Sequence, residues 1–264
     1  MAAARSRPRQ KGVCLSLLSP FVKSGEVPVH FAAFGRKLTS SVRLSELESD
    51  WLSIHELGFQ HIYRIERAFA PDLIIDGGGN TGMFTLTASA AFPAAKVLIC
   101  EPVPANIAQI KKHLEINAVN AEILPVCIGG SPRKITFYVR EANQGSFEAD
   151  KPYRSTLDVD VATLAELVSR NPARKILIKL DIEGMEIEAL TSYLPGEKRS
   201  VCVIGELHDH KTNGAVLKRL FENNGWVVHF RDVSDNGSMF DAWSPAAVAD
   251  FPMAASERRS TEAA

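Results

Sequence analysis

The sequence lacks features that would assign it to several broad classes of protein. None of its apolar runs reaches the roughly 18 residues that a membrane-spanning helix requires, so no membrane partner is predicted. Its formal net charge is -1, which argues against the basic surface that nucleic-acid binding needs. The chain has 264 residues, 45% of them apolar, which is enough for one α/β domain with an extension.

Cysteine is scarce as well. Cys14, Cys100, Cys127 and Cys202 lie far apart and form neither a C-x-x-C pair nor a zinc-binding spacing. Three of them fall within predicted strands, so we interpret them as buried thiols in a reducing compartment and expect a cytoplasmic location.

A glycine-rich stretch organises the chain. It reads Leu73-Ile74-Ile75-Asp76-Gly77-Gly78-Gly79-Asn80-Thr81-Gly82, and a helix is predicted to follow from Met83 to Ala91. Glycines let a ligand approach the backbone, and the start of a helix directs unpaired N–H groups into the same space. The predicted cofactor-binding residues of this loop are Asp76, Gly77, Gly78, Gly79, Asn80 and Gly82.

A second apolar run, Lys96 to Glu101, ends about 20 residues after the loop, where an acid that binds a ribose would lie. Nicotinamide enzymes and S-adenosylmethionine (SAM) enzymes share this arrangement. Asp76 separates them, because a carboxylate would repel a pyrophosphate but suit the cationic amino group of SAM. The loop therefore favours SAM as cofactor, and Glu101 and Pro102 complete the predicted cofactor site.

Four blocks of the sequence resemble, in the same order, those of the FkbM-type SAM-dependent methyltransferases. They are Asp76 to Gly82, Glu101 to Asn106, Lys179 to Glu186 and Glu206 to His208. The resemblance implies a class I methyltransferase fold. It also implies an enzyme that most often methylates a hydroxyl of a sugar or natural product, so a small-molecule hydroxyl acceptor is the expected partner.

The resemblance further implies a Rossmann-like α/β fold with a mostly parallel seven-stranded sheet that ends in an antiparallel hairpin. Strands are predicted at Ile123 to Ile128, Lys134 to Val139, Ile176 to Asp181, Val201 to Leu207, Trp226 to Phe230 and Ser238 to Trp243, and helices at Val161 to Val168 and Ala215 to Asn223. Residues 1–69 are predicted to form a cap that contains a hairpin (Val27 to Phe34 and Leu38 to Leu44) and a helix opened by Ser49. Residues 70–252 are the predicted methyltransferase domain, and residues 253–264 a disordered tail.

The strand ends carry the candidates for catalysis. Residues that follow neighbouring parallel strands lie together, so Asp181, Glu183, Glu206 and His208 are expected around one pocket. Methyl transfer to a hydroxyl needs a base; we predict Asp181 or His208 for this role, with Glu183 and Glu206 orienting the substrate. Asp181, Glu206, His208 and His210 could also bind a metal ion, but strand-end charges are commonly solvated or paired, so no metal is predicted.

Several side chains outside this cluster also have predicted roles. Trp51, His55, His61 and Tyr63 of the cap are candidates for a substrate-facing wall. Lys179 is interpreted as a buried partner that neutralises Asp181 or Glu206. No acid follows the third strand near Gly129, so backbone groups are expected to hold adenine.

Three other functions stay open at this point. An NAD-dependent oxidoreductase would share the glycine loop and Glu101, and a non-catalytic SAM-binding protein would share everything except turnover. Nitrogen is also possible as the acceptor atom, because an amine needs less help from a base than a hydroxyl does.

Overall fold

The described part of the chain, residues 25–65, 70–140, 145–146 and 152–250 of this computed structural model, alternates strands and helices over most of its length. In chain order the strands are β1 (Glu26–Ala33), β2 (Arg36–Arg43), β3 (Leu73–Gly77), β4 (Lys96–Cys100), β5 (Glu122–Leu124), β6 (Val126–Gly129), β7 (Arg133–Val139), β8 (Gly145–Ser146), β9 (Ser155–Thr163), β10 (Lys175–Leu180), β11 (Ser200–His208), β12 (Val227–Arg231) and β13 (Gly237–Trp243). The α-helices are α1 (Leu47–Ser53), α2 (Met83–Ala91), α3 (Pro104–Ile116), α4 (Leu164–Ser169), α5 (Glu186–Tyr193), α6 (His210–Asn223) and α7 (Pro245–Asp250); a π-helical segment (Ile54–Gln60) continues α1. No helix in this described part is both long and apolar enough to cross a membrane.

Seven strands form the central sheet in the spatial order β5-β4-β3-β10-β11-β13-β12. Strands β5, β4, β3, β10 and β11 pair in parallel, whereas β13 runs antiparallel between β11 and β12. Parallel pairing requires a crossover between consecutive strands, and α2 and α3 provide it for the first three. The predicted Rossmann-like class I methyltransferase fold, with its mostly parallel sheet and C-terminal antiparallel hairpin, is confirmed.

Helices cover both faces of this sheet, because consecutive residues of a strand point to opposite sides. In β10, Ile176, Ile178 and Leu180 belong to a core shared with α4, α5 and α6, whereas Leu177 lies in the opposite core with α2, α3 and α7. Lys179 follows the same alternation to the second face. The central strands are buried on both sides, which is why they read as continuous apolar runs in the sequence.

A smaller sheet, in the order β6-β9-β7-β8, is inserted between β5 and β10. Two predictions are wrong here. The single strand predicted from Ile123 to Ile128 is two strands in different sheets, because Pro125 stands between them and cannot donate a backbone hydrogen bond. The helix predicted from Val161 begins only after Thr163, which ends β9 and caps α4 through a capping box with Glu166.

The hairpin predicted within the cap is confirmed as the antiparallel pair β1 and β2. It packs on α2, where Phe31 and Leu38 share a buried apolar cluster with Met83. The helix that follows starts at Leu47 rather than at the predicted Ser49, because a 3-10 turn runs directly into it. The hairpin thus lies on the face of the sheet that α2 and α3 cover.

The thiols of Cys100, Cys127 and Cys202 are buried, as predicted. Burial raises the pKa of the first two well above that of an exposed thiol. Cys14 lies outside the described residues, together with the rest of residues 1–24, residues 66–69 of the predicted cap and the whole predicted tail, residues 253–264.

Candidate active site

The glycine-rich loop joins the end of β3 to the start of α2 and turns through three residues in the left-handed region. Gly78 has a φ of 73°, Asn80 of 48° and Gly82 of 81°, conformations that glycine and asparagine adopt at the least cost. The backbone N–H groups of Gly78 and Gly79 donate to the carbonyl oxygen of Cys100 over 3.0 and 3.1 Å. These bonds fold the loop back against the end of β4.

A cleft of about 550 Å³ opens beside the loop, at the carboxyl ends of the parallel strands. It is lined by Gly78, Asn80, Cys100, Glu101, Pro102, Val103, Val126, Cys127, Ile128, Phe137, Asp181, Ile182 and Glu183. Open α/β sheets bind their ligands at this edge. Six residues predicted for the site therefore meet in one cleft, namely Gly78, Asn80, Glu101, Pro102, Asp181 and Glu183; their contact with a ligand stays a prediction.

The other predicted glycines pack against neighbouring strands instead of lining the cleft. A Cβ atom on Gly79 would lie 2.4 Å from Cγ2 of Ile99, and one on Gly77 would lie 2.8 Å from Cδ1 of Ile128. Gly82 supplies the left-handed conformation from which α2 starts. These three glycines shape the loop, whereas Gly78 and Asn80 are the loop residues that line the cleft.

Glu101, directly after β4, is the carboxylate that connects the loop to the cleft. Its Oε2 accepts a hydrogen bond from the backbone N–H of Asn80 over 2.8 Å. Its Oε1 accepts two, from the backbone N–H of Val103 over 3.0 Å and from the side-chain amide of Asn106 over 3.2 Å. Burial raises the pKa of the Glu101 carboxyl to about 7, although the three hydrogen bonds lower it. This carboxyl group therefore titrates close to neutral pH.

The far end of the cleft is apolar. Cys127 and Ile128 reach it from β6, and Phe137 reaches it from β7, so the small inserted sheet builds this wall. An aromatic ring among apolar neighbours can stack on a flat heterocycle. Phe137 was not predicted for the site, although the alternating pattern of β7 pointed to a buried face. The expectation that backbone groups hold adenine stays a prediction.

Lys179 lies below the loop as a buried cation, with only 3% of its side chain exposed. Its Nζ donates to the carbonyl oxygens of Gly78, over 2.6 Å, and Gly77, over 3.0 Å. It also lies 3.5 Å from Oδ1 of Asp76 and 3.7 Å from Oδ2 of Asp181. The interpretation of Lys179 as a buried partner of Asp181 is confirmed, and its second carboxylate is Asp76.

Asp76 lies beneath the glycine loop, beside Lys179. Its side chain is fully buried; Oδ2 accepts the Thr85 hydroxyl over 2.7 Å, and Oδ1 faces Lys179. Burial raises the pKa of the Asp76 carboxyl, whereas Lys179 and Thr85 lower it. Asp76 is not among the residues that line the cleft and supports the loop from below; its predicted contact with the amino group of SAM stays a prediction.

Asp181 follows β10 and faces the cleft, with the cap behind it. Its Oδ2 accepts the hydroxyl of Tyr63 over 3.0 Å. The Tyr63 ring is buried, packs edge-on against Phe84 of α2 and lies 5.7 Å from Nζ of Lys179. A residue of the predicted cap is therefore in direct contact with a catalytic candidate.

His208, at the end of β11, is held between two carboxylates. Its Nδ1 lies 3.3 Å from Oε1 of Glu186, and its Nε2 lies 3.6 Å from Oε2 of Glu183. Burial lowers the pKa of His208, but the charges of Glu186, Asp181 and Glu183 outweigh it and raise the pKa to about 10. An imidazole that is protonated at neutral pH cannot take another proton, which favours a carboxylate as the base; the role of His208 stays a prediction.

Glu183 is a carboxylate whose proton affinity suits neutral pH. It occupies the turn after β10, with a φ of 57°. The buried Glu186 fixes this turn, because its Oε1 accepts the backbone N–H of Ile182 over 3.1 Å. Burial and the charge of Asp181 raise the pKa of Glu183 to about 7, while His208 lowers it. Glu183 can therefore exchange a proton at physiological pH.

Glu206 and His210, two further members of the predicted cluster, differ in their surroundings. Burial and the negative charge of Asp181 raise the pKa of Glu206, so this carboxyl group interacts electrostatically with the catalytic candidates. His210 instead bonds Oγ of Ser238 over 2.7 Å and packs against Phe230. Across residues 25–65, 70–140 and 152–250, no group of three or more His, Cys, Asp or Glu side chains could hold a metal ion.

None of the four candidates for a substrate-facing wall is among the residues that line the cleft, although Tyr63 bonds the lining residue Asp181. Trp51 packs against Phe59, His61 packs against Phe34, and His55 is exposed. Their contact with a substrate stays a prediction.

Comparison with known proteins identifies the relatives of this chain. The family model described as "Methyltransferase FkbM domain" matches residues 76–235. "Methyltransferase 1" of Beauveria bassiana (strain ARSEF 2860) is 29% identical over 180 residues, which cover 59% of this chain and 72% of the relative. "Methyltransferase sdnD" of Sordaria araneosa is 24% identical over 181 residues, which cover 56% of this chain and 70% of the relative. Among solved structures, TYW2 of M. jannaschii in complex with AdoMet has a TM-score of 0.47 and 12% identity, and the match covers 84% of this chain and 88% of that one.

The family match decides between the cofactors that the glycine loop left open. It spans more than half of the chain and contains the loop, Glu101, Asp181, Glu183 and His208. The alternative of an NAD-dependent oxidoreductase is therefore set aside. The chain belongs to the FkbM methyltransferase domain family and, like its family, uses S-adenosylmethionine.

Proposed function

We propose that the protein transfers a methyl group to a hydroxyl of a small polyhydroxylated molecule, such as a sugar or a natural product. The observation that carries the proposal is the shared cleft: the cofactor loop and two carboxylates, Asp181 and Glu183, line the same cavity. A carboxylate can bind a hydroxyl by accepting its hydrogen bond and can then remove its proton. Both tasks are needed for O-methylation.

The residues of the cleft fit the cofactor. Gly78 leaves the loop open to a ligand, Glu101 offers a carboxylate to the ribose hydroxyls, and Phe137 offers an apolar surface to the adenine. When bound, SAM supplies an activated methyl group, whose bond to sulfur breaks as the bond to the acceptor oxygen forms. The protein has to align the acceptor, exclude water and take the hydroxyl proton.

Glu183 is the base that the geometry supports best. Its pKa of about 7 combines a substantial ionised fraction at neutral pH with a higher proton affinity than an ordinary carboxylate has. Asp181 shares its Oδ2 between Tyr63 and Lys179, which suits it to orient the acceptor. The protonated His208 lies 3.6 Å from Glu183 and holds that carboxylate in place.

Replacing Glu183 by glutamine is expected to lower kcat by about 100-fold or more, because the proton acceptor is lost. In the unchanged protein, kcat should rise with pH through about 7, as Glu183 ionises, and then level off. The variant should lose this rise while keeping its affinity for SAM. Initial rates across the pH range, with SAM affinity from calorimetry, test this expectation.

The matched control is Glu222→Gln, which removes an exposed carboxylate of α6 whose ion-pair partner is Lys218. It should leave rate and pH profile unchanged. Full activity in Glu183→Gln, with a loss in Asp181→Asn, would transfer the role of base to Asp181.

The acceptor itself is tested with methyl-labelled SAM and matched pairs of compounds. Each pair consists of a monosaccharide and the amino sugar in which one hydroxyl is replaced by an amine. Transfer to the hydroxyl compounds, with an O-methyl group identified by NMR, is expected. Transfer only to the amines would make the protein an N-methyltransferase. If SAM binds and no compound is methylated, including small alcohols and polyketide-like phenols, the proposal fails in favour of a non-catalytic SAM-binding protein.

SAM binding is expected to strengthen as the pH rises through about 7, because the ionised Glu101 accepts hydrogen bonds from ribose hydroxyls better than the neutral acid does. Binding should therefore release a proton from Glu101 near neutral pH. Calorimetry in two buffers of different ionisation enthalpy measures that release. Glu101→Gln should bind SAM more weakly and show no pH dependence in this range; an equal pH dependence in both proteins would contradict the assignment.

A further inference from the structure

Helix α3 presents polar side chains to the cap in the middle of a buried interface. Gln109, His113 and Asn117, which ends the helix, recur every fourth residue and so share one face. Gln109 is 4% exposed, and His113 is 1% exposed. Buried polar groups need partners, and these three find theirs on β2.

The partners are backbone groups on the edge of β2 that faces away from β1. Asn117 accepts the N–H of Thr39 over 2.8 Å and donates to its carbonyl oxygen over 2.8 Å. Two residues further on, the N–H of Ser41 donates to Nε2 of His113 over 2.9 Å, and Gln109 donates to the carbonyl oxygen of Ser41. We call Gln109, His113 and Asn117 the hairpin clamp, because they form hydrogen bonds with backbone groups of β2 that have no partner in a neighbouring strand.

His113 has a second partner, and it belongs to the cofactor loop. Its Nδ1 lies 2.7 Å from the carbonyl oxygen of Thr81. Because Nε2 accepts from Ser41, the ring proton resides on Nδ1, which donates to Thr81. Burial lowers the pKa of His113, which favours the neutral ring that both bonds require.

We propose that His113 is a positioning residue of the cofactor site, because its ring joins the docked hairpin at Ser41 to the glycine loop at Thr81. Thr81 stands between Asn80 and Gly82, two residues in the left-handed region, so its carbonyl helps to fix the turn. A loop held in this shape binds SAM without first being ordered. By linkage, SAM binding and hairpin docking stabilise each other to the same extent. The inference depends on SAM as cofactor, which the family shows, and not on the nature of the acceptor.

Hydrogen exchange of the unmodified protein tests this coupling directly. The amide of Ser41 is bonded to His113, so its exchange reports the docking of the hairpin. Saturating SAM is expected to slow this exchange by about 5-fold or more, the lower end of typical couplings. The amide of Leu220, within α6 on the other face of the sheet, serves as reference. Exchange at Ser41 that changes no more than at the reference would overturn the proposal.

A matched pair of variants separates positioning from simple packing. His113→Ala removes the contacts with the hairpin and with the loop, whereas Asn117→Ala removes two contacts with the hairpin and none with the loop. We expect the Kd for SAM to rise about 10-fold in His113→Ala and less than about 2-fold in Asn117→Ala, with similar losses of thermal stability. Equal changes in Kd would reduce His113 to a packing residue. If His113→Ala does not fold, the exchange measurement on the unmodified protein still decides.

Discussion

Replacing Gly78 by alanine is expected to lower the thermal midpoint by about 10 °C and to abolish SAM binding. Gly78 has a φ of 73°, and a Cβ atom there would lie 1.9 Å from the carbonyl oxygen of Asp181. The left-handed conformation alone costs an alanine about 1 to 2 kcal/mol, and the clash forces the loop away from the end of β10 at a similar cost. Circular dichroism on heating and calorimetric titration with SAM measure both effects.

The hairpin turn of the cap provides a matched control for this substitution. Gly35 has nearly the same φ, 76°, but nothing lies within 4 Å of the Cβ that an alanine would add. Gly35→Ala should therefore cost only the conformational part, about 1 to 2 kcal/mol, and leave SAM binding unchanged. If the two variants lose the same stability and both bind SAM, the close approach of Gly78 to Asp181 has no role in the site.

Replacing Lys179 by methionine is expected to destabilise the protein by about 3 to 5 kcal/mol, the range found when one partner of a buried ion pair is removed. The substitution leaves the Asp76 carboxylate buried with Thr85 as its remaining hydrogen-bond partner. It also removes the bonds of Lys179 to the carbonyl oxygens of Gly78 and Gly77, of which Gly77 keeps the backbone N–H of Asp181. Denaturant unfolding measures the loss. The protein that remains folded should keep much of its turnover, because Lys179 acts from beneath the loop.

The variant should also acquire a distinctive dependence of stability on pH. Without Lys179, the buried Asp76 has a folded-state pKa raised further above its unfolded value, because burial then acts with less opposition. A raised carboxyl pKa stabilises the folded state below that pKa, and this contribution is lost as the pH rises through it. Lys179→Met should therefore be more stable at mildly acidic pH than at neutral pH, and adding Asp76→Asn should restore part of the loss at neutral pH.

The control is Lys211→Met, which removes an exposed ion pair with Asp235. Its effect should stay below about 1 kcal/mol. A stable Lys179→Met protein that binds SAM normally but has no turnover would contradict the structural role and place Lys179 in the chemistry.

Much of the fold was predictable because it depends on patterns within short segments. Apolar runs that end in Asp76, Glu101 and Asp181 marked three parallel strands, and parallel strands carry their ligands at the carboxyl edge. The lining of the cleft by Asp181 and Glu101 follows from that rule. Segments that change sheets were not predictable in this way: the run from Ile123 to Ile128 looks continuous, and Pro125 alone marks its division.

The electrostatics of the site could not be predicted, because they depend on neighbours from distant parts of the chain. His208 looks like a base in the sequence, yet Glu186, Asp181 and Glu183 raise the pKa of its imidazole to about 10. Asp76 looks like a ligand-binding residue, yet the chain buries it against Thr85 and Lys179. A strand pattern predicts the position of a residue in the sheet. The protonation state and the partners of its side chain depend on the tertiary packing.

The position of β10 beside β3 has a consequence for how the protein is made. Lys179 and Gly77, which are bonded across this pair, stand 102 residues apart in the chain. At a synthesis rate of about 5 to 20 residues per second, β3 waits roughly 5 to 20 s on the ribosome before its inner partner emerges. During that interval the strand has an open apolar edge, and pairing over so long a separation is slow once it becomes possible. The cofactor site is therefore completed late in biosynthesis, and until then the open edge of β3 needs protection from aggregation.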